Sequence, residues 1–222
     1  MKEKILNNLF AVKKAFNAFK IGFKRDLPCE KLFENFTNSL DCELKNYSIK
    51  YDYLCGKDTV NIDGASNGYY LKDGDTVLMD ISVGFNGVWC DVTRTYFVGG
   101  YDSEQEKAFN LIARSIDAGA NLLKGGARAN DIYNAVNGVY QKVGKKLIHH
   151  AGHRIGQDCL IQPQFLEENL GTINVGDAVA IESGLYDGFG IRLENDYYIL
   201  ENGAQDLFGN LMPLDIKEYV LK

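Results

Sequence analysis

Residues Gly74 to Thr95 read GDTVLMDISVGFNGVWCDVTRT, and residues Gly176 to Tyr197 read GDAVAIESGLYDGFGIRLENDY. A shift of 102 positions lays Gly74 on Gly176, Asp75 on Asp177, Val77 on Val179 and Asp80 on Glu182. With one more residue in the second loop, Asp91 falls on Glu194. Each copy spells strand, glycine-containing turn, strand, with an acid on each arm. Two such hairpins carry four carboxylates, and their placement decides both fold and chemistry.

Side chains on the two arms of a hairpin share a face only when loop length and separation have matching parity. Asp80 and Asp91 are 11 positions apart. A two-residue turn at Phe85-Asn86 sets them directly opposite; a turn at Asn86-Gly87, the stronger signal, makes them diagonal neighbours on one face. Either arrangement puts the carboxylates roughly 5–8 Å apart across the ladder. Glu182 and Glu194 are 12 apart, and a three-residue loop (Asp187, Gly188, Phe189) sets them opposite.

Like charges facing each other on a strand pair are destabilising. The neighbours are apolar (Val77, Met79, Ile81; Val179, Ile181, Ile191), so burial is expected, and buried carboxylates need a partner or a cation. Arg94 and Arg192 are the candidate partners. Two arginines do not neutralise four acids in a symmetric site, whereas two divalent cations do. Oxygen ligands with one imidazole suit Mn, Co, Zn or Fe.

Outward from the hairpins the pattern turns helical. Ile5, Leu9, Val12, Phe16 and Phe19 recur at helical spacing over residues 3–20, ended by Gly22. A second helix is expected from an N-cap at Asp26, with Pro28 in its first turn and Leu32, Phe33, Phe36 and Leu40 on its buried face. Residues 46–53 alternate as a strand, and 56–70 read as loop with a short strand. Ser103 and Glu106 form a capping box opening a long helix that Gly125-Gly126 closes. Another helix runs over about 130–143, and all three histidines fall in 147–163. Element types therefore repeat along with the sequence. They predict an α+β domain over 1–222, with pseudo-symmetric halves at about 1–100 and 101–222, a sheet on one side and helices on the other.

Composition narrows the function classes. The chain has 222 residues, 45% of them apolar, enough for a sizeable core. A net charge of −6 without a basic run argues against nucleic acid. No apolar window of membrane-spanning length and no signal-peptide pattern occur. Five cysteines at irregular spacing read as free thiols of a reducing compartment, which makes the cytoplasm the expected location.

His153 stands between the hairpins in HHAGHRIGQDCLIQPQF, flanked by glycines that permit close backbone approach. With GDTVLMD, CDVTRTYFVG, GHRIG, IESGLY and RLEN, the chain resembles the M24 metallopeptidases, the pita-bread fold of methionine aminopeptidase, aminopeptidase P and prolidase. The resemblance implies a curved antiparallel sheet with helices on its outer face. It implies a dinuclear metal set of Asp80, Asp91, His153, Glu182 and Glu194, with Arg94 and Arg192 holding carboxylates. By the same resemblance Glu182 also shuttles protons, and His149 binds substrate or the tetrahedral intermediate. The short interval between the last two acids is similar to the Xaa-Pro branch, and the chain is expected to carry the catalytic domain only, without that branch's usual N-terminal domain. Two positions depart from the pattern. Leu160 stands seven residues after His153, where the family has a histidine, and Asp63 is the nearest match to a loop histidine before the first hairpin.

The expected activity is hydrolysis of short peptides at the N-terminal side, of the Xaa-Pro dipeptidase or aminopeptidase type, with two divalent ions. Expected partners are a short peptide and no nucleic acid or membrane, with a homodimer left open. The alternative is a non-catalytic or altered-specificity pita-bread protein that keeps the metal site but lacks the two substrate-contacting histidines. A metal-independent hydrolase of creatinase type is a third reading, weakened by the complete ligand set.

Overall fold

Alternation along the hairpins sorts side chains onto two faces, and everything else packs according to that sorting. The computed structural model describes residues 1–209 and 211–222. Helices α1 (Lys2–Ile21) and α2 (Cys29–Glu43) are followed by strands β1 (Ser48–Cys55), β2 (Thr76–Phe85) and β3 (Val88–Val98). Helices α3 (Ser103–Ala120) and α4 (Ala129–Gln141) precede β4 (Gly152–Ile155), β5 (Ile161–Gln164), β6 (Ala178–Tyr186), β7 (Gly190–Leu200), β8 (Gly203–Asp206) and β9 (Val220–Leu221).

The strands form two sheets, ordered β1-β2-β3-β9 and β5-β4-β6-β7-β8. All pairings are antiparallel except β3 with β9. Val77, Met79, Ile81 and Val83 of β2, with Val179 and Ile181 of β6, point to the helices and are fully buried. The alternate residues Asp80, Ser82, Glu182 and Gly184 share the opposite face. The helices supply the rest of the core through Leu9, Val12, Phe16, Leu32, Phe36 and Leu40, and through their counterparts one hundred positions on, Phe109, Ile112, Ile116, Ile132, Val136 and Tyr140.

The hairpin registers resolve the parity question. Phe85 pairs with Val88, so the turn is Asn86-Gly87, and Asp80 lies across from Thr93 and diagonal to Asp91. Asn86 and Gly87 take φ of 53° and 77°, the left-handed pair that matches strand twist. Glu182 pairs directly with Glu194 across the loop 187–189, as the spacing predicts. One expectation changes as a result. The return arms are offset by 101, not 103: Asp91 superposes in register on Arg192, Thr93 on Glu194 and Thr95 on Asp196.

Bonds across the β3–β7 seam obey this offset. The Arg192 amide donates to Thr95 Oγ1 at 3.0 Å, and the Asp91 amide donates to Asp196 Oδ2 at 2.9 Å, two related positions exchanging roles. Thr93 Oγ1 donates to Glu194 Oε2 at 2.8 Å, joining one position to its own counterpart. The sheets therefore meet through side chains about a pseudo-twofold axis. The halves diverge inside: Ser115, Tyr140 and Ser183 form a buried hydroxyl cluster, Tyr140 to Ser183 at 2.6 Å, where Ala15, Leu40 and Ile81 stand in the first half.

Two helix starts differ from expectation. Helix α2 begins at Cys29 with Pro28 extended at its N-cap, not at Asp26, because Pro28 bridges Tyr70 and the Cys29 amide donates to the Tyr69 carbonyl. The box opening α3 is Asp102 with Gln105, one residue before Ser103 and Glu106. In place of a short strand, the loop 56–70 holds a 3-10 turn at 56–60 and isolated bridges at Ala65 and Tyr70, and Thr59 reaches the second hairpin: the Gly190 amide donates to its Oγ1 at 2.9 Å.

Gly152 immediately precedes His153, takes φ of 134°, and a Cβ there would collide with the Ala180 carbonyl. Gly152→Ala should cost at least ~2 kcal/mol in urea unfolding, from left-handed strain plus the clash. Gly138→Ala, in open space on α4, should instead gain about 0.5–1 kcal/mol.

Candidate metal centre

The acids converge. Asp91, His153 and Glu194 offer ligand atoms no two of which lie further than 4.8 Å apart. His153 Nε2 is 3.8 Å from Asp91 Oδ2, 3.8 Å from Glu194 Oε1 and 3.9 Å from Glu182 Oε1. A triangle of that size has its centre roughly 2.2–2.8 Å from each corner, close to the bond lengths of transition metals to imidazole and carboxylate. Asp80 stands beside this group, held by Arg192 Nη2 at 2.7 Å. The five residues predicted from sequence thus surround one cavity of about 330 Å³.

Each is positioned by a different element. Asp80 and Asp91 come from the two arms of the first hairpin, Glu182 and Glu194 from the second. His153 is delivered by β4, which pairs with β6 through His153 and Ala180. Thr93 orients Glu194, and the Asp196 carboxylate holds the backbone of Asp91.

Charge is badly unbalanced here. Arg192 bonds to Asp80, to Asp52 at 3.3 Å and to the Ile62 carbonyl at 2.8 Å. Arg94 takes no part: among the described residues it touches no carboxylate. It lies on the helix face, fully buried, donating to Tyr219 Oη, to the Thr93, Glu194 and Met212 carbonyls and to Asn195 Oδ1. The expectation that it pairs with the acids fails because position 94 alternates to the other face from 93. It steadies the Glu194 backbone instead.

Burial raises Asp80 to about 6, with Arg192 pulling down and Glu182 and Asp52 pushing up. Asp91 and Glu194 are driven well above the usual carboxylate range, first by burial and then by neighbouring acids. Burial pushes Glu182 the same way, but His150, His149 and Arg192 outweigh it and hold the group low. Asp91 Oδ1 and Glu194 Oε1 are buried without a hydrogen-bond partner among the described residues. Unpartnered buried oxygens, excess negative charge and one imidazole in bonding range are what a divalent cation would satisfy. The residues fit a metal.

Several contributors were not foreseen. His150 Nδ1 lies 3.0 Å from Glu182 Oε1, off the line of a good hydrogen bond. Burial pulls His150 down, yet the Glu182 charge leaves it raised. His149 sits behind, its Nδ1 on the His150 carbonyl and its Nε2 on Tyr186 Oη at 3.2 Å, and burial lowers it to about 4. Both its ring nitrogens have protein partners, and it lies 3.6 Å from Glu182 Oε2. Adjacency in HHAGH was the available signal for His150. Asp52 was readable only as the strand face opposite Tyr51 and Tyr53. Leu160 and Asp63 both line the cavity, and Leu160 is 43% exposed.

Asp91→Asn removes one unpartnered charge. In the metal-free protein it should raise the Tm, by about 2–4 °C for each kcal/mol of repulsion relieved. Added Mn²⁺ or Co²⁺ should raise the Tm of the unmodified chain and leave that of the Asn variant nearly unchanged, as scanning calorimetry would show.

A sequence model of metallopeptidase family M24 matches residues 11–201. An uncharacterized peptidase of Methanocaldococcus jannaschii is 32% identical over 155 residues, 67% of this chain and 43% of that protein. The Xaa-Pro dipeptidase of Pyrococcus furiosus is 25% identical over 148 residues, 65% of this chain and 42% of that protein. The chain thus spans less than half the length of these two curated relatives. Among solved structures, the X-Pro aminopeptidase from Thermotoga maritima superposes with a TM-score of 0.90 at 18% identity, over 98% of this chain and 62% of that one. That likeness bears out the α+β pita-bread fold.

Proposed function

Since the chain belongs to metallopeptidase family M24, we propose that it is a metal-dependent peptidase acting at the N-terminal side of short peptides, of the Xaa-Pro dipeptidase or aminopeptidase type. We read residues 1–222 as one catalytic unit of two halves, about 1–100 and 101–222. The observation that carries the reading is the convergence of Asp91, His153 and Glu194, with Glu182 and Asp80 beside them, on one cavity. The similarity to an Xaa-Pro dipeptidase supports the substrate class. The five free cysteines support a reducing, cytoplasmic setting. Among the described residues no helix is long and apolar enough to cross a membrane.

Asp80, Asp91, His153, Glu182 and Glu194 would hold two divalent ions, of the Mn, Co, Zn or Fe kind. Bound there, such ions acidify water and polarise the scissile carbonyl. The remaining work falls to the chain. Glu182, kept ionised by His150 and Arg192, is the base that takes a proton from the attacking water and returns it to the leaving nitrogen. His149, steadied by Tyr186 beside Glu182, lines the cavity and binds substrate or the tetrahedral intermediate, as the resemblance implies. Arg192 fixes Asp80 in place, and Thr93 aims Glu194.

A second reading, a binding protein that keeps the metal site, is favoured by one observation: Leu160 presents an apolar, half-exposed side chain where the family places a hydrogen-bond donor. Loss of one such donor costs on the order of 10²–10³ in rate.

Hydrolysis of Xaa-Pro and Met-Ala peptides with Mn²⁺ or Co²⁺ separates the two readings. Turnover that falls by roughly 10² or more in Glu182→Gln is the expected outcome. Bound metal without turnover on a broad peptide panel would favour the binding protein. Leu160→His should raise kcat/KM by about tenfold or more if the missing donor is the chief deficit.

A further inference from the structure

Residues paired across β1, β2 and β3 stand in rows on the cavity face. Asp52, Asp80 and Thr93 form one row, Lys50, Ser82 and Asp91 the next, and Ser48, Gly84 and Trp89 the one beyond. Neighbouring strands lie ~4.8 Å apart, so the Lys50 backbone is roughly 10 Å from that of Asp91, on the same face. Gly84 has no side chain, and the Trp89 indole lies over it; a Cβ at 84 would strike the ring. The ring extends toward β1, where Lys50 Nζ is 5.4 Å from its centre, a cation over an aromatic face.

The cavity lining carries Asp52, Asp63, Asp80, Asp91, Glu182 and Glu194 against two permanent cations, Lys50 and Arg192. Arg192 is committed to Asp80, Asp52 and the Ile62 carbonyl. Lys50 is held loosely. Its side chain is 61% exposed, and its Nζ lies 3.1 Å from Cys159 Sγ and 3.4 Å from the Asp158 carboxylate, itself 60% exposed. An exposed carboxylate already rests against this ammonium, and a ligand carboxylate can take its place at little cost.

We infer that Lys50, seated on Trp89, binds the free C-terminal carboxylate of a short peptide. A scissile carbonyl over Asp91, Glu182 and Glu194 leaves a gap to Lys50 that one or two residues span, each advancing at most about 3.3–3.6 Å, once the lysine stem leans inward. In a cavity this acidic, a peptide carboxylate without a cation would be repelled. Lys50 thus makes the site one for dipeptides and tripeptides over longer chains. The choice of ligand rests on the peptidase reading; the carboxylate site itself is tested without turnover.

Trp89 is the only tryptophan of the chain, so its emission reports on this position. The full chain is titrated with Ala-Pro and with Ala-Pro amide, following Trp89 fluorescence, and the titrations are repeated in Lys50→Met and Lys50→Arg. The free acid should shift the emission and bind at least about tenfold tighter than the amide, as a charge-assisted contact predicts. That ratio should collapse toward one in Lys50→Met and largely return in Lys50→Arg. Equal binding of acid and amide, a ratio that survives Lys50→Met, or no emission change with either ligand overturns the inference. Acid-selective binding without hydrolysis would sink the peptidase reading and leave this site standing. Hydrolysis of acid and amide at equal kcat/KM would do the reverse.

Discussion

Four carboxylates, two from each sheet, face one cavity, and among the described residues a single guanidinium reaches them. That imbalance is the constraint on which the rest of the molecule depends. Asp91, Glu182 and Glu194 are buried and Asp80 half-buried, on strands whose other face hides Val77, Met79, Ile81, Val179 and Ile181 against the helices. Alternation then turns the acids toward the cavity. A chain that folds this way carries a standing electrostatic cost, which a divalent cation at Asp91, His153 and Glu194 would relieve.

The surrounding residues divide that problem rather than solving it singly. Arg192 relieves Asp80, His150 and His149 relieve Glu182, and Thr93 takes one oxygen of Glu194. One oxygen of Asp91 and one of Glu194 are left with nothing. The partially satisfied acids are thereby fixed in direction, and the unsatisfied ones define where positive charge belongs. Stability and function draw on the same atoms, so residues that aim the acids also tune how strongly a cation is held.

Much of this was legible beforehand. The repeat located all four acids, and the parity of the second loop placed Glu182 opposite Glu194 without further information. The strongest turn signal, Asn86-Gly87, correctly chose the diagonal arrangement for Asp80 and Asp91. What stayed hidden depends on contacts between distant segments. The return-arm offset could not be read, because Asp91 and Glu194 match by residue type while Thr93 and Glu194 match by register. Arg94 looked like a partner for the acids by charge alone, yet its parity sends it to the helix face. Pro28 was displaced to the N-cap by its bridge to Tyr70, a pairing across 42 positions that no local pattern announces. Lys50 and Trp89 meet only because Gly84 between them is empty.

A residue lying on the twofold axis of a symmetric dimer faces its own copy. Thr93 and Glu194 occupy that position here, joined at 2.8 Å. Two identical subunits would be obliged to set threonine against threonine or glutamate against glutamate. The first supplies no ligand, and the second buries a repulsive pair on the axis itself. A hydroxyl that donates to a carboxylate at this point requires the two halves to differ, which a single continuous chain carrying both arranges. Covalent fusion of the halves permits an asymmetric centre inside a nearly symmetric frame: it lets a position on the axis be a carboxylate on one side and its hydrogen-bond donor on the other.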